Sequence, residues 1–401
     1  MITITVRARG DGMFNSDQKR LLALDGGGIM GVMSLCLLKR MEDQLRPLSG
    51  MGDAFRLCYF FDYFAGTSTG AIIAAGLAIG KSCSELIDFY RRSGAAMFQP
   101  APLWRRLLYY SFAADPLREM LRKEIGAGSL LDMHANGTLK SLLLIVTRNV
   151  TTDSPWPISS NPLARFNAAE RADCNMKIPL WKLVRASTAA PTFFEPEQIE
   201  FVTGDPRYTF IFEDGGVTPY NNPALLLYRM ATSPEYRLAW PAGEDRLMLI
   251  SVGTGSVFHP LPKAKLFGQP LLTNARTIPG TLMTSISVEN DITCRTLGRC
   301  VYGGELDTEL GTLIPVEAAP SPRQFLYARY NPDVSEHGLA AMGLATIKAE
   351  TLRMDNVAAI PDLIRIGEKS AELVDLPAQF APFLPTANRL QTGERSGGIR
   401  H

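Results

Sequence analysis

The chain has 401 residues, 46% of them hydrophobic and 20% charged, which excludes a disordered or fibrous protein and leaves ample material for a core. Lys plus Arg number 41 against 40 Asp plus Glu, a net charge of +1, so the basic field that non-specific nucleic-acid binding draws on is missing and no nucleic acid polymer is expected as a partner. The first twenty residues carry no continuous apolar segment, so no secretory signal is predicted. Six cysteines without a C-x-x-C pair read as reduced thiols of a cytoplasmic protein.

Leu21 to Leu24 reads as a short buried strand that stops at three glycines, and Val32 to Leu45 carries apolar residues at helical spacing. The pattern repeats: Cys58 to Phe64 reads as a second buried strand, followed by Gly66-Thr67-Ser68-Thr69-Gly70 and a helical run from Ala71 to Ile79. The uncharged stretch from Tyr63 to Gly80 has the length of a membrane span. Its central glycines argue against one lipid-facing helix. Further strands are predicted at Leu142 to Thr147, Thr209 to Phe212 and Leu247 to Val252, with helices at Ser84 to Arg92, Asp115 to Ile125 and Leu180 to Ser187. Strands alternating with helices imply an α/β protein with a mostly parallel sheet covered on both faces. After Gly255 prolines punctuate the chain, helical periodicity returns from Glu336 to Leu373, and the residues after Pro385 should fray. The expected organisation is a lead segment over 1–19, a core over 20–256, a mainly helical region over 257–385 packed on that core, and a frayed tail over 386–401.

Chemistry concentrates in three places. Gly66-Thr67-Ser68-Thr69-Gly70 lies between a predicted strand and a predicted helix, the setting of a nucleophile elbow, in which flanking glycines let the backbone turn sharply and leave the serine hydroxyl exposed. The helix beginning there aims its N–H groups at the site and favours developing negative charge. Asp25-Gly26-Gly27-Gly28-Ile29-Met30-Gly31 occupies a similar position, and its consecutive glycines expose N–H groups suited to an oxyanion hole. Gly26, Gly28 and Gly31 also satisfy the dinucleotide-binding G-x-G-x-x-G spacing. That reading needs an acidic residue at the end of a following strand, and the nearest acid, Asp53, has no strand before it.

A serine needs a base. The four histidines are His134, His259, His337 and His401, and Ser68, Asp214 and His259 stand in the chain order of a hydrolase triad. Asp214 itself is better marked, because it ends the apolar run Tyr208 to Phe212 and precedes Gly215-Gly216. An ordinary Asp-Gly turn would look the same.

Together the three motifs resemble the patatin-like phospholipase family, whose signature is a glycine-rich loop (here Gly26 to Gly31), a Gly-x-Ser-x-Gly elbow some forty residues on (Gly66 to Gly70) and an Asp-Gly-Gly near the end of the core (Asp214 to Gly216). Arg185 to Phe194, Asn221-Asn222-Pro223 and Ile250 to Gly255 look like the family as well. The resemblance implies a three-layer α/β fold and a Ser-Asp dyad without histidine. Ser68 would be the nucleophile and Asp214 the base, with oxyanion donors from Gly27 and Gly28 beside Gly26. It implies no metal and no cofactor. The implied substrate is a phospholipid or lysophospholipid, reached by transient contact with a membrane surface from the cytoplasmic side. The layout of such a core with a helical tail also resembles effectors of nucleotide-activated bacterial antiviral defence, which implies a small nucleotide activator. One position departs from the pattern: Met30 stands where the family usually has Arg or Lys. A non-catalytic lipid-binding protein on the same fold is therefore the competing class.

Substrate access is written less plainly. Met97-Phe98 and Leu103 to Phe112 combine aromatic and apolar residues with Arg105 and Arg106, the make-up of a membrane-interface segment. An ordinary helix packed on the core is the reading slightly favoured.

Overall fold

The computed structural model describes residues 17–255, 271–307, 309–314 and 322–384. His259, His401, the tail over 386–401 and most of the lead segment lie outside the described residues. The chain opens with β1 (Lys19–Leu24), α1 (Gly31–Leu48), β2 (Tyr63–Thr67) and α2 (Thr69–Ala78). Helices α3 (Cys83–Met97), α4 (Leu103–Leu108), α5 (Asp115–Ile125) and α6 (Leu130–Ala135) follow. The middle of the chain supplies β3 (Leu142–Asn149), β4 (Ser154–Ser159), α7 (Leu180–Ser187), β5 (Glu197–Glu200), β6 (Thr209–Asp214), α8 (Ala224–Thr232) and β7 (Leu247–Val252). Beyond lie α9 (Leu271–Leu297), β8 (Arg299–Tyr302), β9 (Leu326–Tyr330), α10 (Glu336–Ala341), α11 (Ile360–Ala371) and α12 (Leu376–Phe380).

The strands form one sheet in the order β5-β6-β3-β2-β1-β7-β9-β8, with β4 paired to β3. From β3 through β2, β1, β7 and β9 to β8 all pairs are parallel, and β4, β5 and β6 make the antiparallel margin. The central strands read as unbroken apolar runs because both faces are covered. Alternate residues divide between two cores: Leu22, Leu24, Phe64, Ile250 and Ala328 pack with α1, α2 and α3, whereas Leu21, Ala23, Ala65, Leu249 and Tyr327 pack with α8. Three layers result, as expected for the α/β class, and the region beyond 257 is mainly helical.

Three expectations change. Cys58 to Phe61 is not strand: Leu57–Tyr59 forms a 3-10 turn, and β2 starts only at Tyr63, where it pairs with Leu21. Phe60 and Phe61 are buried with their rings edge to face, and a buried turn and a buried strand present the same apolar run. The region after 257 also gives two strands to the sheet, β9 lying directly against β7. Finally, α4 does not pack flat on the core, since Leu103 and Trp104 are 70% and 57% exposed. Tyr63 to Gly80 is strand, turn and helix, and among the described residues no helix is long and apolar enough to cross a membrane.

Candidate active site

Ser68 joins β2 to α2 with φ 54° and ψ −121°, a conformation that L-residues rarely hold without tertiary support. Close passage of strand and helix provides part of that support. A Cβ on Gly66 would stand 2.1 Å from the Gly70 carbonyl oxygen, and one on Gly70 would stand 2.2 Å from that of Leu24, so neither position admits a side chain. The rest comes from α7. Ser187 Oγ accepts the Ser68 N–H at 2.9 Å and donates to the Val146 carbonyl at 2.6 Å, tying the turn to β3 through one fully buried hydroxyl.

Asp214 ends β6 opposite Thr147 of β3. Its own N–H donates to the Ala189 carbonyl at 3.0 Å, and the Gly216 N–H donates to its Oδ1 at 2.7 Å. Gly215 and Gly216 form the 3-10 turn that follows. Burial pushes the Asp214 carboxyl up to about 6, against the opposing pull of the Ser68 hydroxyl, the hydrogen bond from the Gly216 N–H and the Arg185 charge. A carboxylate in that range is far better matched to accepting a proton near neutrality than one at its ordinary value.

The glycine loop leaves β1 beside this pair. Gly26, one of the three oxyanion glycines expected from sequence, is otherwise engaged: its N–H donates to the Asn221 carbonyl at 3.2 Å. The N–H groups of Gly27 and Gly28 have no acceptor among the described residues. Gly28 holds φ +60°, and a Cβ there would meet the Met354 carbonyl oxygen at 2.3 Å. That same oxygen accepts the Ile29 N–H at 2.9 Å, while Thr254 Oγ1 donates to the Gly26 carbonyl at 2.8 Å. Gly31 opens α1 against Thr69, and Met30 is buried in the core that covers this face. At the root of the loop Asp25 forms a bidentate ion pair with Arg329 of β9 at 2.8 and 2.6 Å, both side chains buried. Burial pushes the Asp25 carboxyl up and the Arg329 guanidinium opposes it.

Sequence reasoning did not assign three of these residues. Ser187 sits inside the Arg185 to Phe194 stretch matched only as part of the family resemblance, and its hydroxyl has no motif of its own. Arg329 lies 304 positions from its partner. Asn221 was noted only as part of Asn-Asn-Pro. Its Oδ1 is buried without a hydrogen-bond partner and lies against both Gly26 and Gly216, while its Nδ2 donates to Ser287 of α9 at 3.0 Å. The two described histidines lie on other elements. His134 lies on α6, where burial lowers its pKa, and His337 is exposed on α10. Among the described residues no histidine is hydrogen-bonded to Ser68 or Asp214. Nor does any group of three or more His, Cys, Asp or Glu there form a metal-binding cluster.

The family model of patatin-like phospholipases matches residues 22–228, just over half of the chain. The chain is 30% identical over 267 residues to the cGAMP-activated phospholipase of Vibrio cholerae, covering 63% of this chain and 69% of that one. It is 27% identical to Patatin-17 of Solanum cardiophyllum over 59% of its own length, and 30% identical to Patatin-like protein 1 of Arabidopsis thaliana over the same share. Of those two plant relatives it spans only 60% and 58%. The match begins inside β1, ends inside α8 and takes in the glycine loop, Ser68 and Asp214 together, and the chain belongs to the patatin-like phospholipase family.

Proposed function

We propose that the chain is a serine lipid acyl hydrolase of the phospholipase A or lysophospholipase type, acting peripherally on membrane glycerophospholipids from the cytoplasmic side. The observation that carries this reading is a serine held at φ 54° on a strand-to-helix turn beside the backbone donors of a glycine loop, together with a buried aspartate whose carboxyl burial pushes up to about 6. Ser68 Oγ attacks the ester carbonyl while Asp214 takes its proton. The carbonyl oxygen becomes an oxyanion received by the N–H groups of Gly27 and Gly28. Collapse expels the lysolipid or glycerol alkoxide, which leaves with the proton held by Asp214, and the fatty acyl group remains on Ser68. A water then gives its proton to Asp214 and attacks the acyl-enzyme, releasing the fatty acid and restoring the serine.

A fluorophosphonate probe should label the purified protein at Ser68, and lipid profiling against Ser68→Ala should show fatty acid release by the wild type alone. Absence of both would leave the non-catalytic lipid-binding reading that Met30 raises. Regulation by a small nucleotide is the finer part of the proposal, supported by the similarity to a cGAMP-activated phospholipase. Titration with cGAMP should raise the hydrolysis rate. A rate indifferent to cyclic dinucleotides would remove the regulatory part and leave the hydrolase.

A further inference from the structure

The segment between α3 and α5 is built as a protrusion with a fixed stem and a bare tip. At the stem, Ala101 N–H donates to the Ser111 carbonyl and Ala113 N–H to that of Gln99, both at 3.0 Å. Phe98, Phe112, Phe193 and Phe194 pack there as an aromatic cluster with centroid separations of 5.3 to 6.1 Å. The tip carries α4. Leu103, Trp104 and Tyr109 are 70%, 57% and 63% exposed, the last two rings edge to face with each other. Soluble surfaces scatter large apolar side chains singly, and three of them gathered on one short tip call for a partner.

The charge around them says which. Arg105 and Arg106 are the only ionisable groups other than tyrosine from Pro102 to Ser111, and both are exposed. Arg105 lies over the Trp104 ring at 5.2 Å, with Glu195 at 3.9 Å. Arg106 has no ion-pair partner among the described residues. Aromatic and aliphatic side chains flanked by guanidinium groups match the boundary of an anionic bilayer, where rings sit at head-group level and cations meet lipid phosphate.

The stem runs to the site. Ser111 N–H and Phe112 N–H donate to the carbonyls of Thr192 and Phe193 at 3.0 and 2.9 Å. This 187–194 loop also holds the Ser68 N–H through Ser187 and the Asp214 N–H through Ala189. We infer that Leu103, Trp104 and Tyr109, with Arg105 and Arg106, form the surface that docks the protein on an anionic phospholipid bilayer. This rests on the hydrolase reading above for its purpose but not for its test.

The test uses Ser68→Ala protein, so that lipid is not consumed, and vesicles made of equal parts phosphatidylcholine and phosphatidylglycerol. Leu103→Ser/Trp104→Ser should weaken vesicle binding about tenfold or more, the scale set by removing two apolar side chains from a bilayer. Arg105→Gln/Arg106→Gln should weaken binding about tenfold to these vesicles and leave binding to pure phosphatidylcholine unchanged. With Ser68 restored, the Leu103/Trp104 variant should lose activity on vesicles and keep its rate on a soluble short-chain ester within about twofold. Vesicle binding unaltered in both variants would overturn the docking surface. So would a wild-type dimer that the Leu103/Trp104 variant converts to monomer, which would make a second copy the occupant. If the wild type binds vesicles through this tip yet hydrolyses no ester, the hydrolase reading falls and the docking surface stands.

Discussion

The elbow around Ser68 and the glycine loop around Gly27 would face the same reacting carbonyl in the proposed mechanism, yet they are held in different ways. The elbow is fixed within the family-matched part of the chain: Gly66 against Gly70, Ser187 against Ser68, Ala189 against Asp214. The loop shares Asn221 and Leu24 with that part, but its root and outer side are gripped by Thr254, Arg329 and Met354. All three lie beyond residue 228, where the family match ends. The proposed nucleophile and base thus lie within the family-matched part, whereas the posture of the proposed oxyanion donors depends on residues beyond it. Changes in the elbow should abolish chemistry and leave the fold, while changes under the loop should cost the fold and the donors together.

The largest effect tests the elbow. Ser68→Ala and Asp214→Asn should each lower kcat on a soluble ester by about 10⁴-fold or more, and the double variant should be no slower than the worse single, because the two act as one unit. Stopped assays on the three purified proteins check this, and additive losses would separate the pair. Next comes the loop. Arg329→Met strands Asp25 as a buried charge without its cation, a change that costs about 3–5 kcal/mol in comparable pairs. Denaturant unfolding should show that loss, with kcat of the surviving folded protein also reduced. Should stability hold, the grip of the C-terminal region on the loop is not the one described.

A third effect runs in the opposite direction. Asp214 rises from 3.8 to about 6 in the fold, so between those pH values the folded chain keeps a proton that the unfolded chain has released. Stability therefore falls as pH rises through that window, and above it the native state bears the whole cost, on the order of 3 kcal/mol. Asp214→Asn should be more stable than the wild type at pH 7 by up to that amount, with the gain vanishing near pH 4. Thermal unfolding across pH reads it, and the wild-type rate should fall below about pH 6. The smallest effect concerns the histidines. His259→Ala should change kcat by less than about tenfold, where loss of a triad histidine costs ~10⁴-fold, and His134→Ala and His337→Ala should behave alike. One folded variant as inactive as Ser68→Ala would replace the dyad with a triad.

What could be read in the sequence follows the same division. Helices α5 and α7 and strand β7 lie where periodicity placed them, and the Gly-x-Ser-x-Gly turn falls between strand and helix as its chemistry requires. These are local features, set by residues within a few positions of one another. The start of β2 was misplaced because Phe60 and Phe61 are as buried in a turn as they would be in a strand. Gly26 looked like an oxyanion donor because a row of glycines shows that N–H groups are accessible, and not which of them the Asn221 carbonyl will occupy. Arg329 and Met354 gave no signal at all, since a contact across most of the chain is decided by topology.

The clasp of Met354 on Gly28 also orders events in time. A ribosome delivers Ser68, Ser187 and Asp214 well before it delivers residue 354, and at ~5–20 residues per second the interval is about 7 to 28 seconds. During that interval a nascent chain has Ser68 and Asp214 but lacks both the cation beneath the loop and the carbonyl that receives the Ile29 N–H. On the proposed mechanism, the oxyanion donors would therefore be set only after the nucleophile and base have been made. Chains broken off before β9 would be released without the strand that carries Arg329.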